Sequence, residues 1–237
     1  MKRAQSHVVG VVLLLGLTLV ALGGLTATVG SIVDGQTATA DATRVADAFQ
    51  NGLEPSEQTG QGTTQLRFTD GHVGSAKREL RVLNASGVVR VVPIDALVYT
   101  TSGARTAFVG GAVVRGRPDE AWLVREPSLT VTRTNDTVVV GAPRLNASGG
   151  AIAGDTVTAR LRTNVSHTRE RFPRGDYRIA IETATPEAFR RYFRRLGLST
   201  RTRDIDGDGT PSVVAGVGGR ETVYLVVHDM RTEVAHG

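Results

Sequence analysis

The chain has 237 residues, of which 40% are hydrophobic and 22% charged, and a formal net charge of +5. Such a composition folds into one sizeable domain or two small ones and excludes a wholly disordered protein. With no cysteine, disulfides, thiolate metal centres and a thiol nucleophile are excluded as well. Lys2 and Lys77 are the only lysines, so arginine carries almost all the positive charge. That bias reads as the mark of a GC-rich genome, and no nucleic-acid partner is expected.

Met1-Lys2-Arg3 opens the chain, and Val8 to Val33 follows with no formally charged residue before Asp34. At about 1.5 Å per residue this is roughly 39 Å of helix, against a hydrocarbon core of about 30 Å, so a tilted membrane-spanning helix is predicted. Bases in front and none immediately behind predict an N-terminus kept inside and a body carried outside. Gly10, Gly16, Gly23 and Gly24 allow close approach of other backbones. The apolar run exceeds the length of a secretory signal's core, although the small residues from Ala21 to Ala27 leave a cleaved signal open beside a plain single-span anchor.

Lys2-Arg3-Ala4-Gln5-Ser6-His7-Val8-Val9-Gly10 with the apolar run behind it resembles the N-terminal region of archaeal type IV pilins and archaellins, as in pilin-like surface proteins of halophilic archaea. The resemblance implies a basic leader over residues 1–4 and a prepilin peptidase as partner. It places the cut between Ala4 and Gln5, where the family often has Gly before the cut. The retained helix would serve as anchor and as the contact with other pilin-like subunits. Removing Lys2 and Arg3 would free the helix from the inner membrane face.

Val45, Ala48, Phe49 and Leu53 continue a helical period while Asp34, Asp41 and Asp47 stay polar. The transmembrane and stalk helix is therefore expected over residues 5–54, ended by Pro55, broken near Gly35 to Thr39, and packed on its own head through its amphipathic part. Residues 55–64 read as a linker and 65–237 as a β-rich extracellular head.

From Gln65 the period changes to two. Strands are predicted at 65–69, 79–83, 88–92, 96–100, 106–109, 112–115, 129–133, 137–141, 156–163, 177–183 and 222–227, as a mostly antiparallel meander. Thr134-Asn-Asp136 marks a hairpin. One helix interrupts the strands, with Thr185 as N-cap, Pro186 at its first position and Gly197 past its end. Its stripe of Phe189, Tyr192, Phe193 and Leu196 is expected to lie on the sheet, with Arg190, Arg191, Arg194 and Arg195 opposite. The fold class is thus α+β: a long N-terminal helix, a β-rich head, and one short amphipathic helix.

Asp204-Ile-Asp206-Gly-Asp208-Gly209 has the alternating carboxylates and sixth-position glycine that open a calcium loop. Ala215 stands where the closing glutamate belongs, leaving Thr210 and Ser212 as further oxygens. The other reading is a solvated acidic turn; no cofactor is expected, weak Ca²⁺ at Asp204, Asp206 and Asp208 being the alternative. Of five asparagines, Asn84, Asn135, Asn146 and Asn164 begin Asn-x-Ser/Thr, where composition alone would give about one, so they are read as glycan acceptors on an exported head.

Enzymatic signatures are weak. His228-Asp229 comes without a Gly-x-Ser-x-Gly elbow and reads as a surface histidine; His7, His72, His167 and His236 lack metal-ligand spacing. Gly216-Val-Gly-Gly219 lacks the Lys-Ser/Thr of a phosphate loop. The expected function is non-enzymatic: a membrane-anchored, type IV pilin-like surface protein, a minor filament or secretion-system subunit. The alternative is an unassembled single-span binding module, its arginine face holding an acidic polymer.

Overall fold

The structure, a computed structural model, describes residues 3–54, 59–132, 136–148 and 150–236, with the side chains of residues 3–12, 23–32, 34 and 236 outside the description. Helix α1 (Arg3–Gly52) is followed by strands β1 (Gly60–Phe68), β2 (His72–Ala76), β3 (Glu79–Asn84), β4 (Gly87–Pro93) and β5 (Ala96–Thr100). Next come β6 (Arg105–Val109), β7 (Ala112–Arg115), β8 (Trp122–Arg125), β9 (Leu129–Thr132) and β10 (Thr137–Arg144). The chain then forms β11 (Ile152–Ala153), β12 (Val157–Gly175), β13 (Arg178–Glu182), α2 (Pro186–Arg195), β14 (Ser199–Arg203), β15 (Ser212–Gly216), β16 (Glu221–Asp229) and β17 (Glu233–His236). The fold is α+β, as its sequence pattern predicts.

The strands form three sheets, ordered β1-β12-β16-β10-β9 with β17 beside β12, β11-β2-β5-β6-β7-β8, and β14-β15-β13-β3-β4. Pairing is antiparallel except between β10 and β16, which run parallel from Thr137↔Thr222 to Arg144↔Asp229. This is more than a meander: the 19-residue β12 pairs β1 and β17 through its first half and β16 through its second. The β9–β10 hairpin forms as predicted, with Thr132 opposite Thr137.

Two large apolar clusters fill the head, beside a small third one of Leu83, Ala180 and Val214. In one, Ala42, Val45 and Phe49 of α1, with Leu53 just past its end, meet Leu66, Phe68, Tyr99, Phe108 and Leu161 from the strands. In the other, Phe189, Tyr192 and Phe193 of α2 meet Ile179, Ile181, Val213, Val140 and Leu225. The stalk thus packs on its own head, as its periodicity predicts. Leu13 to Leu22 behaves differently, every large apolar side chain there being 62–75% exposed. Among the described residues, no helix is long and apolar enough to cross a membrane.

Several expectations need correction. The helix does not break between Gly35 and Thr39 but continues to Gly52. The hydroxyls of Thr37, Thr39 and Thr43 donate to the carbonyls of Val33, Gly35 and Thr39 at 2.9–3.0 Å, so these poor helix formers satisfy their own polar groups within the helix. Asp41 is buried rather than on the polar face. Strand β1 starts at Gly60, inside the stretch read as linker, and residues 55–58, with Pro55, lie outside the described residues. Thr185 makes no side-chain cap; its hydroxyl pairs with that of Thr183 at 3.1 Å. The C-terminal end of α2 is closed by Gly197 as expected, at φ 75°, with Gly197 N–H donating to Arg194 O at 2.9 Å and Leu198 N–H to Phe193 O at 3.0 Å, a Schellman pattern.

Candidate functional site

Ala4 and Gln5, the expected processing pair, lie in the first turns of α1, and their side chains fall outside the described residues. Further along, where α1 enters the head, polar groups reinforce the apolar contact. The Asp41 carboxylate is fully buried and accepts from the backbone N–H groups of Thr69 at 2.8 Å and Asp70 at 3.3 Å, while Arg44 pairs with it one turn on. The Arg125 guanidinium donates to Gln50 O at 2.7 Å and Leu53 O at 3.1 Å. It thereby places positive charge on the last carbonyls of the helix, where the dipole favours it. Burial holds this guanidinium below its ordinary pKa range, opposed by Glu54.

The acidic loop joins β14 to β15. Asp204, Asp206 and Asp208 each present an oxygen within 4.8 Å of the others, all three residues exposed, which is the donor chemistry of a hard cation. Asp204 accepts from Gly207 N–H at 2.8 Å and Gly209 N–H at 3.0 Å, and these two bonds hold its carboxyl below the usual range. The rest of a twelve-residue calcium loop does not form. Ser212 is buried and receives Arg81 Nη1 at 3.1 Å, and Ala215 lies in the core within β15. Thr210 N–H donates to Asp208 at 2.7 Å.

Arg81 already supplies a cation here. Buried in β3, it sits 2.6 Å from Asp206, 2.6 Å from Glu79 and 3.4 Å from Glu182. Burial first, then Asp208, raises the Glu182 carboxyl above its ordinary range; Arg81 and Arg78 oppose them. Any added cation at Asp206 would therefore share that carboxylate with a guanidinium.

Among the sequons, Asn84 ends β3, its Oδ1 accepting from Ser86 N–H at 2.9 Å in a turn. Asn146 is exposed at φ 44°, and Asn164 is exposed within β12, opposite Gln61. Asn135 lies outside the described residues. These three positions are compatible with projecting sugars. The arginine face of α2 is largely committed within the molecule. Arg190 pairs with Glu187, Arg195 with Glu126 at 2.7 Å, and Arg191 donates to Ala121 O.

Two arrangements escape sequence reasoning. His228 is 8% exposed, not a surface residue, and stands directly opposite His167 in the β12–β16 ladder, their Nδ1 atoms 3.0 Å apart. That contact occupies one of the two ring nitrogens a Ser-His-Asp relay would use. Separately, Glu221 is 7% exposed beside the Gly216 to Gly219 turn, with Oε2 buried and, among the described residues, without a hydrogen-bond partner. Only the β12–β16 register brings together histidines 61 positions apart, and period-two alternation does not announce that register.

No curated protein and no solved structure matches the chain. A family model described as a family of unknown function, DUF7289, matches residues 3–233. The match takes in the apolar helix, both cores and the acidic loop together, and the chain belongs to the DUF7289 family.

Proposed function

We propose that this protein is a non-enzymatic, type IV pilin-like surface protein, anchored by the apolar part of α1 with its β-rich head displayed outside the cell. The observation that carries the reading is the contrast along one helix. Residues 38–53 include a run of side chains buried in the head, while Leu13 to Leu22 stand uncovered. At about 1.5–3 kcal/mol per large apolar side chain, covering that segment is worth on the order of 10 kcal/mol, which favours a lipid phase or the helices of other copies over water. The apolar run from Val8 to Val33, the basic start and the four sequons add to the same reading from the sequence.

In this reading a prepilin peptidase cuts between Ala4 and Gln5 and removes Lys2 and Arg3. The freed helix then passes from the bilayer into contact with other subunits. Glycans on Asn84, Asn146 and Asn164 face outward, and the Asp204 to Asp208 loop takes Ca²⁺ weakly, because Arg81 already engages Asp206.

N-terminal and intact mass spectrometry of membrane and sheared-surface fractions tests it. The expected mature chain begins at Gln5, and Ala4→Trp blocks that processing. A chain that still begins at Met1 and stays in the membrane fraction would overturn the pilin-like reading in favour of a single-span surface module.

A further inference from the structure

A cavity of about 710 Å³ opens beside the Gly216 to Glu221 turn, at the opposite end of the β14–β15 pair from the acidic loop. Among the described residues three carboxylates line it: Asp136, Asp176 and Glu221. Two of them have protein partners, Asp136 pairing with Arg174 and Asp176 accepting from Arg220 N–H at 3.0 Å. Glu221 differs. Only 7% exposed, it leaves Oε2 buried with no hydrogen-bond partner among the described residues.

A carboxylate oxygen removed from water without a donor carries a desolvation cost that a bound donor offsets, and a charged donor offsets it best. The turn is built close around this side chain. Gly218 has φ +117°, and a Cβ there would meet Glu221 Oε1 at 2.5 Å.

The rest of the lining narrows the class of ligand. Leu198, Val217 and Val131 give the cleft an apolar wall, which suits an aliphatic stem. The cleft's carboxylates are not among the described groups whose ligating oxygens gather within 4.8 Å, so no ready chelate for a bare metal ion exists there. We propose that this cleft binds a cationic group on an aliphatic stem, an ammonium or guanidinium, with its charged end on Glu221 and its stem along Leu198 and Val217. The same chemistry is offered by a free amine or guanidine and by a basic side chain of another protein. The inference does not depend on the anchoring role of α1.

The test is a titration of the full chain in detergent with agmatine and, separately, with the blocked peptide acetyl-Gly-Arg-Gly-amide, followed through the amide resonances of Gly216, Gly218 and Gly219. Methyl glucoside serves as the neutral control. Saturable shifts with a cation, weakened by salt, are expected. Glu221→Gln should weaken binding about tenfold or more, as expected for removing one charged hydrogen-bond partner. Ser199→Trp, at the exposed rim of the cleft, should block it with Glu221 intact, and so carries the test if Glu221→Gln fails to fold. Response to agmatine alone identifies a free small cation, and response to the peptide identifies a protein side chain. No saturable response to either cation, equal binding by folded Glu221→Gln, or preference for the glucoside would overturn the proposal.

Discussion

Two stretches of α1 have opposite surroundings. From Ala38 to Leu53 the helix is part of the head: its apolar stripe fills a core with Phe68, Tyr99 and Phe108. Its polar groups are also engaged, Asp41 by backbone donors of Thr69 and Asp70, the Ala42 carbonyl by Thr106 at 3.2 Å, and the last turn by Arg125. From Leu13 to Leu22 all sides of the helix are uncovered. The difference teaches that docking on the head requires both a stripe and anchors. Leu13 to Leu22 is apolar all round and has no polar group placed to fix a register on a sheet. Such a segment suits a uniform medium or a bundle of like helices.

The sharpest way to break the comparison is to truncate one buried and one exposed side chain on the same helix. Phe49→Ala should destabilise the head by about 3–5 kcal/mol, through lost transfer energy and the cavity left behind. Leu17→Ala should change it by less than about 0.5 kcal/mol, as a surface substitution does. Urea unfolding followed by the single tryptophan, Trp122, reads both. Equal losses would show that the exposed half also supports the head, and the division drawn here would fall.

A smaller loss is expected from Asp41→Ala, which leaves the Thr69 and Asp70 amides without their buried acceptor at about 1–3 kcal/mol. Asp41→Asn keeps an acceptor oxygen and should recover part of it. Amide exchange at Thr69 and Asp70 gives a direct readout: both should exchange faster in Asp41→Ala, and unchanged protection would mean that these donors do not depend on the helix.

Most of this architecture is legible in the sequence where alternation is strong. Ala96 to Thr100 and Ala112 to Arg115 form strands with the predicted bounds, and the α2 stripe of Phe189, Tyr192 and Phe193 is buried as its spacing requires. What escapes is set by tertiary partners. Trp122 to Arg125 and Ser199 to Arg203 form edge strands from exposed or half-exposed residues, the first only four residues long and the second with no apolar residue to announce it. Ser212 to Gly216 follows an acidic loop whose motif suggests a longer metal site, yet its residues are buried as a strand. Asp41 falls on a face that sequence alone assigns to solvent, and its burial escapes notice because the backbone amides that donate to it come from Thr69 and Asp70, beyond the end of β1. The candidate site divides the same way. The Asp204 to Asp208 motif is visible as a pattern, whereas the lone oxygen of Glu221 has meaning only once the surrounding turn is folded.

The smallest effect lies at alkaline pH and probes the same junction. Tyr99 packs under α1 and donates its hydroxyl to Asp70 O at 2.7 Å. Burial foremost, then the charges of Asp41 and Asp70, push its pKa from 10.0 up to about 12. A phenol whose folded pKa lies above its unfolded value contributes stability that is complete below pH 10 and is lost as pH rises toward 12. Stability should therefore decline across that window, and Tyr99→Phe should flatten the decline where Tyr192 does not contribute. Tyr192 is raised to about 12 in the other core by burial and then Glu126, so the double Tyr99→Phe, Tyr192→Phe variant isolates the two. Asp41→Ala removes only the second cause at Tyr99, and its ultraviolet phenolate transition should move down by less than the full shift while that of Tyr192 stays in place. A Tyr99 transition indifferent to Asp41 would mean that this carboxylate anchors α1 through the Thr69 and Asp70 amides without imposing its charge on the core beneath the helix.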